Sequence, residues 1–108
     1  MTRPKYTKPD KNQTEIVEQL RELGFDVDIV CDLPGIFDLV VSGERKIVWC
    51  GEHVASVVCS ARVEVKSEGG LLSDGEIEYY QNQIHKESYI VAYSVKDVLR
   101  WFDGIAPQ

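Results

Sequence analysis

Residues 62–66 alternate strictly between polar and apolar side chains, and no other stretch of the chain constrains the fold as much. A period of two is typical of a β-strand with one buried face. The pattern places Glu64 and Lys66 on one face of this strand, with Val63 and Val65 on the other. The strand therefore carries two opposite charges side by side.

A second strand is predicted upstream, where Leu39 to Val41 form an apolar run that begins directly after Asp38. Leucine and valine favour strands at such positions. A carboxylate that enters an apolar strand needs a counter-charge or a cation, because burying an unpaired charge is costly. If the two strands pair, Asp38 and Glu64 come together, with Lys66 next to them.

A simpler interpretation of these charges remains open at this point. Glu64 could form a surface ion pair with Lys66 or Arg62, since charged side chains are normal on the solvent face of a strand. Asp38 could cap a turn that follows Gly35. Under this interpretation the three groups form no site.

Length and composition predict a single domain that spans residues 1–108. The chain is 44% hydrophobic and 28% charged, as is usual for a globular protein. No segment approaches the roughly 20 apolar residues of a membrane span, and no apolar region of a secretory signal follows the N-terminus. We therefore expect a cytoplasmic protein without a membrane partner, whose three cysteines are reduced.

The net charge of −6 argues against nucleic acid as a partner, because non-specific affinity for DNA comes mostly from neutralised phosphates. The basic residues are concentrated locally. Residues 1–11 hold one acid and four basic side chains, namely Arg3, Lys5, Lys8 and Lys11. This N-terminal arm is either a frayed, solvated terminus or a basic patch that contacts phosphates.

The remaining periodicities predict a helix after Asp10, a strand over residues 25–31 and a helix that opens with the capping box Ser73 to Glu76. A short strand over residues 89–93 and a final helix from Ser94 follow. We also predict an extra β-hairpin, with a turn at residues 42–45 and a strand over residues 46–50. The fold class is thus α/β, with a mixed central sheet flanked by helices.

These features in this order resemble the PD-(D/E)XK nuclease superfamily, whose core motif matches Asp38 followed, after 25 residues, by Glu64-Val65-Lys66. More narrowly, they look like the small stand-alone phage-type VRR-NUC proteins, and the resemblance covers about residues 10 to 102. Phe37 stands where the motif has proline, which supplies no metal-binding atom, and Glu76 stands where many relatives have glutamine. The matching positions are Asp10, Asn12, Gln13, Glu15, Ile16, Val17, Leu20, Arg21, Gly24, residues 38–41, residues 63–66, Leu72, Ser73, Ser94, Val95 and Asp97.

The resemblance implies a restriction-endonuclease-like core and a site for Mg²⁺ or Mn²⁺, ions that prefer oxygen ligands and keep several waters. Asp38, Glu64 and the backbone carbonyl of Val65 would bind the ion. Glu15 would complete this set, although Asp10 and Glu18 are competing acids nearby. Lys66 would position or help to deprotonate the attacking water.

The implied activity is structure-selective hydrolysis of DNA phosphodiester bonds, and Holliday junctions are one possible substrate of a phage protein acting in its host cell. Such proteins resemble homodimeric resolvases, whose two-fold axis suits a four-way junction. An inactive binding or assembly module and a nuclease that recognises sequence are the alternatives. The candidate DNA-binding residues are Lys5, Lys8, Lys11, Gln13, Arg62 and Lys86.

Overall fold

A computed structural model of the chain describes residues 11–30 and 37–104. Most of the predicted N-terminal arm lies outside the described residues. The elements, in chain order, are α1 (Lys11–Glu22), β1 (Asp26–Ile29), β2 (Leu39–Trp49), β3 (Glu52–Val65), α2 (Asp74–Gln81), a single 3₁₀ turn (Lys86–Ser88), β4 (Tyr89–Ala92) and α3 (Val95–Phe102).

The predicted α/β class with a mixed sheet flanked by helices is confirmed. The four strands lie in the order β1-β2-β3-β4, and β1, β2 and β3 pair antiparallel. The last strand, β4, pairs parallel to β3 after a connection that contains α2. None of the helices in residues 11–30 and 37–104 is long and apolar enough to cross a membrane.

The hydrophobic core lies between the sheet and helices α1 and α3. Apolar residues recur along each helix on the face that meets the sheet, and alternate residues of the strands face them. Their burial supplies most of the stabilisation of the fold. The core comprises Ile16, Val17, Leu20, Val27, Leu39, Val41, Ala61, Val63, Val65, Ile90, Ala92, Val98, Trp101 and Phe102.

The helix predicted to open with a capping box at Ser73 and the final helix predicted from Ser94 both form. Ser73 accepts a hydrogen bond from the backbone N–H of Glu76, whose side chain accepts one from the N–H of Ser73 in return. At the start of α3 the N–H of Ser94 donates to Oδ2 of Asp97 at 3.3 Å, and the N–H of Asp97 donates to the carbonyl of Ser94 at 3.2 Å. The two motifs satisfy backbone donors that a helix start would otherwise leave free.

The predicted extra hairpin is wrong, because β2 runs without interruption through residues 42–45. Ser42 and Gly43 read as turn residues, yet they pair with Ser60 and Cys59 of β3. A Cβ atom on Gly43 would lie 2.5 Å from the Phe25 ring and would displace it, so this glycine serves close packing and not a turn. One long hairpin formed by β2 and β3 replaces the predicted one.

Beyond the pairing with β1 and β4, residues 43–59 of this hairpin form a two-stranded ribbon. Its base is fastened to α3, where the Nε of Arg45 donates to the carbonyl of Trp101 at 2.7 Å and the guanidinium lies 4.0 Å from the indole ring centre. The Nζ of Lys46 lies 3.4 Å from a carboxylate oxygen of Asp103.

The ribbon turns at Cys50 and Gly51, whose φ angles are 54° and 82°. Two successive residues at positive φ form the type I′ turn that suits the twist of a hairpin. Glycine adopts this conformation freely, whereas cysteine does so at a cost.

We expect Cys50→Asn to raise the free energy of unfolding by roughly 1 kcal/mol, because asparagine tolerates the left-handed conformation. Cys50→Val should lower it, because a β-branched residue is strongly disfavoured there. Urea unfolding of the two variants and the native chain measures both changes. Equal stability of the two variants would contradict the turn geometry.

Candidate functional site

Asp38 is held firmly at the entry to β2. One of its carboxylate oxygens, Oδ2, accepts a hydrogen bond from the backbone N–H of Val65 at 2.8 Å. Its own N–H donates to the carbonyl of Val63 at 2.9 Å, and its carbonyl accepts from the N–H of Val30 at 2.8 Å. The Asp38 carboxylate therefore bridges the start of β2 and the end of β3.

Glu64 lies on the same face of the sheet as Asp38. Val40 pairs with Arg62, and residues two apart on a strand share a face, so Asp38 and Glu64 both point toward the side that carries α2. Glu64 is only 4% exposed. Such burial excludes the simpler interpretation of Glu64 as half of a surface ion pair.

Lys66 stands between two carboxylates. Its Nζ lies 2.9 Å from Oε1 of Glu76 and 3.6 Å from Oε2 of Glu64. Oε1 of Glu76 also accepts the hydrogen bond from Ser73 that caps α2. The start of α2 thus holds the lysine of the site.

Burial and mutual repulsion disturb the ionisation of the two strand carboxylates. Burial, followed by the negative charge of Asp38 and contact with Glu76, raises the pKa of Glu64 to about 9. Burial also raises the pKa of Asp38, against the opposing effect of the hydrogen bond from Val65. Burial opposes ionisation of Glu76, but the pKa of Glu76 is lowered because its cap and Lys66 outweigh it.

Strongly shifted carboxylates beside a lysine are typical of functional sites, because such an arrangement costs stability. A positive ion bound by Asp38 and Glu64 would favour their charged forms. Within the described residues, however, no group of three or more His, Cys, Asp or Glu side chains is placed to hold a metal ion. The third carboxylate, that of Glu76, is engaged by Lys66 and Ser73.

Two carboxylates are a sufficient protein contribution for Mg²⁺, which usually takes one or two of them together with waters and phosphate oxygens. Asp38 and Glu64 supply these hard oxygen donors. Val65, whose carbonyl was the predicted third ligand, is the last residue of β3. The donor set is therefore compatible with Mg²⁺ or Mn²⁺.

Helix α1 reaches the site through its first turn, although not through the predicted residue. The Nδ2 of Asn12 donates to the carbonyl of Lys66 at 2.9 Å and to that of Tyr93 at 3.1 Å. Glu15 is exposed and, among the described residues, its side chain forms no hydrogen bond or salt bridge with the cluster. Gln13, a predicted DNA contact, is 4% exposed and thus buried.

Arg62, another predicted DNA contact, is engaged within the protein. Its guanidinium donates to the hydroxyl of Tyr79, to Oε1 of Gln83, to the carbonyl of His85 and to the hydroxyl of Ser88. It therefore ties β3 to the end of α2 and to the turn before β4. Four acceptors leave this side chain little capacity to bind phosphate.

Lys86, a further predicted DNA contact, is also engaged within the protein. The Nζ of Lys86 donates to the carbonyl of Gln83 at 2.8 Å and stands 5.9 Å from the centre of the Tyr80 ring. Lys5 and Lys8 lie outside the described residues. Lys11 begins α1, and its side chain is outside the described set.

Sequence reasoning assigned Glu76 to a capping box and missed its contact with Lys66. The spacing from Ser73 indicated where α2 starts, but not that this start packs over the end of β3. The one available signal was the carboxylate that stands where many members of the resembled family have glutamine.

No family model matches this chain, no curated protein matches its sequence and no solved structure matches it.

The pKa of Glu64 predicts how the stability of the metal-free protein depends on pH. Its carboxyl group binds a proton more tightly in the folded chain than in the unfolded chain, where the pKa is near 4.5. Stability from this group is therefore lost as pH rises from 4.5 to about 9. Glu64→Gln should remove this loss and, at mildly alkaline pH, raise Tm by roughly 4–8 °C for a gain of about 1 kcal/mol.

Thermal unfolding of both proteins across this pH range, in the presence of a chelator, checks the prediction. Glu18→Gln, which neutralises an exposed acid of α1, is the matched control and should retain the native pH dependence. A Glu64→Gln variant that is less stable than the native chain throughout the range would show that the Glu64 charge stabilises the fold.

Proposed function

We propose that this protein is a metal-dependent, structure-selective DNA endonuclease with a restriction-endonuclease-like core, similar to the VRR-NUC branch of the PD-(D/E)XK superfamily. One observation carries the proposal. Asp38, at the start of β2, and the buried Glu64 near the end of β3 share one face of the sheet, with Lys66 3.6 Å from Glu64. An Asp, a Glu and a Lys in this order are the core motif of the resembled superfamily.

In this proposal Asp38, Glu64 and the backbone carbonyl of Val65 would hold a Mg²⁺ or Mn²⁺ ion. The bound ion supplies a nucleophilic water at neutral pH and a Lewis acid for the phosphate. The N–H of Val65 orients the Asp38 carboxylate through its hydrogen bond of 2.8 Å. Burial of Glu64 excludes bulk water from its side of the site and strengthens its attraction for a cation.

Lys66 would stabilise the charge that develops on the phosphate and help to position the attacking water. Burial opposes the charged form of Lys66, but its contacts with Glu76 and Glu64 outweigh burial and raise the pKa of Lys66. The lysine is therefore charged at neutral pH. This favours an electrostatic role for Lys66 over proton abstraction from the water.

DNA binding in this proposal depends on a small number of basic side chains. The net charge of −6 opposes DNA binding, and Arg62 is engaged by the protein itself. Lys5 and Lys8 of the N-terminal arm, together with Lys86, are the proposed phosphate contacts. Two arms in a homodimer would double this positive charge and suit a symmetric four-way junction.

The ribbon offers a surface for such a homodimer. Among the described residues, no strand pairs with the outer edge of β3 from Glu52 to Ala61, since β4 begins its pairing at Arg62. Exposed edges pair with other chains unless charges block them, and residues 53–60 contain no Asp, Glu, Lys or Arg. Val54 and Val58 are exposed on this strand. A second copy that pairs through its own β3 edge would leave neither β3 edge exposed.

We expect Val58→Lys to shift the protein from dimer to monomer, because a lysine on an edge strand opposes pairing. Size-exclusion chromatography with light scattering measures the mass. Ile84→Lys is the matched control, since Ile84 is 88% exposed outside the ribbon whereas Val58 is 78% exposed within it. A native chain that is monomeric at all concentrations would contradict the proposed dimer.

One observation favours a second candidate function, a nuclease-like fold that serves as a non-enzymatic binding or assembly module. Lys66 already forms an ion pair with Glu76 at 2.9 Å. The cluster can therefore persist as an internal ion-pair network without a metal. The net charge of −6 would then suit a protein partner. Whether the protein binds a metal ion distinguishes the endonuclease from the binding module.

The test combines metal binding with cleavage. We expect Mn²⁺ to raise the Tm of the native chain, because an ion that binds only the folded state stabilises it. Asp38→Asn should abolish this increase, whereas Asp28→Asn, which changes an exposed acid of β1, should retain it. A Tm that is the same with and without Mn²⁺ would support the binding module.

Labelled linear, nicked, flap and four-way DNA, incubated with Mg²⁺ or Mn²⁺, then identify the substrate. The four-way junction should be cut, and Lys66→Ala should cut it at least about 100-fold more slowly. Preferential cleavage of one linear sequence would indicate a nuclease that recognises sequence. Cleavage by Lys66→Ala at the native rate would overturn the proposed role of the lysine.

A further inference from the structure

The outer edge of β3 carries backbone groups that face away from β2. The N–H of Lys66, directly after β3, donates to the carbonyl of Ala92 on β4. On the opposite side of the strand, the carbonyl of Val63 accepts from the N–H of Asp38. Because neighbouring residues of a strand direct their N–H and C=O groups to opposite sides, the even-numbered residues of β3 face its outer edge. The register with β2 is continuous from Ala55 to Val63, so this alternation holds throughout that segment.

Three of these outward-facing residues meet no strand within residues 11–30 and 37–104. Pairing with β4 begins at Arg62, so residues 56–60 of β3 have a neighbouring strand on one side only. The three residues are Ser56, Val58 and Ser60, all of them exposed. Their unpaired N–H and C=O groups form a template for a further strand.

The residues along this edge do not block pairing with another chain. Edge strands usually carry charged residues or proline that oppose such pairing. The edge of β2 beyond Ser42 does so, since it carries Glu44, Arg45 and Lys46. Residues 53–60 of β3 contain no Asp, Glu, Lys, Arg or Pro, and Val58 is 78% exposed. The ribbon is therefore open to a further strand at β3 and protected against one at β2.

The outward-facing residues are arranged symmetrically about Val58. A second copy that runs antiparallel, with Val58 opposite Val58, sets Ser56 opposite Ser60 on both sides of the centre. Hydroxyl side chains opposite each other are a favourable cross-strand pair. All three residues of one copy then meet those of the other, which gives about six backbone hydrogen bonds. Any other antiparallel register that pairs outward-facing residues sets one of the three beyond this segment, at Val54 or Arg62.

Neither of those two positions is available for regular pairing. The outer side of Arg62 is occupied by β4. The register of β2 against β3 shifts between Ile47 and Val48, which leaves Val54 as an extra residue without a partner on β2. Such a bulge bends its strand. In the symmetric register Val54 lies opposite Arg62, so the bend allows the tip of one ribbon to leave the sheet where β4 of the other copy begins.

We propose that two copies of the chain join through residues 56–60 of β3, antiparallel and with Val58 on the two-fold axis, so that both candidate sites open on one face of a continuous sheet. This inference rests on the proposed function, which includes a homodimer through the β3 edge but neither its register nor its axis. A two-fold axis between antiparallel neighbours stands perpendicular to the sheet, so each face continues into the same face of the other copy.

The position of Glu64 relative to Val58 sets the spacing of the two sites. Both residues are even-numbered, so they lie on the same face of β3. At 3.3 Å per residue, the two Glu64 residues of the dimer lie about 40 Å apart, on either side of the axis. One DNA molecule bound across the sheet would meet both sites from the same side, as suits a symmetric four-way junction. Parallel pairing of the same edges would turn the sites to opposite faces.

Crosslinking at the axis tests this geometry. Residues that exchange both hydrogen bonds in an antiparallel pair have Cα atoms about 5.5 Å apart. A short bismaleimide should therefore join two copies of Val58→Cys, and most of the chain should then run at twice its mass on a denaturing gel. The native chain, treated in the same way, should stay at the mass of a single chain and reports any background from Cys50 and Cys59.

Val54→Cys is the matched control, since Val54 lies on the same strand and is 60% exposed. The two copies of this residue would lie about 26 Å apart in the symmetric register, beyond the reach of a short reagent. The control should therefore also stay at the mass of a single chain. Crosslinking of Val54→Cys at the same level as Val58→Cys, or in its place, would overturn the inference.

The outcomes separate this geometry from the proposed nuclease. A dimeric native chain that cuts four-way DNA, but whose Val58→Cys variant does not crosslink, would refute the interface and leave the nuclease intact. Crosslinking at Val58 in a chain that cuts no DNA would support the interface and refute the nuclease. A native chain that is monomeric would overturn the inference whether or not it cuts DNA.

Discussion

The hydrogen bond from the N–H of Val65 to the carboxylate of Asp38 is the interaction around which the site is arranged. It joins Asp38, which directly precedes β2, to Val65, the last residue of β3. The open end of the hairpin is therefore closed by a carboxyl group. Glu64 is buried beside that point and Lys66 follows it. The core on the opposite face supplies the stability that such a costly cluster requires.

The same hairpin serves two different purposes along its length. Near Asp38 it is flanked by β1 and β4 and holds the carboxylates between the sheet and α2. Beyond residue 43 it leaves the four-stranded sheet, and only contacts such as that of Arg45 with Trp101 fasten it to the rest of the fold. A rigid site and an uncovered edge thus belong to one continuous pair of strands.

Local patterns predicted most of the fold but not its long-range contacts. Alternation at residues 62–66 was sufficient to locate the end of β3, and the capping box at Ser73 and the apolar pattern after Ser94 located α2 and α3. The hairpin at residues 42–45 was predicted wrongly, because a glycine that accommodates the Phe25 ring is indistinguishable in sequence from a glycine in a turn. The juxtaposition of Asp38, Glu64 and Lys66 followed from strand pairing. The roles of Arg62 and Glu76 did not, since each depends on how α2 packs across the sheet.

Helix α2 contains no buried residue, so its attachment depends on a small number of contacts. At its first turn a single atom, Oε1 of Glu76, accepts both from the N–H of Ser73 and from the ammonium group of Lys66. Local unfolding of this turn and rearrangement of Lys66 are therefore thermodynamically linked. Protection of the first amides of α2 against hydrogen exchange would therefore report whether Lys66 is in contact with Glu76.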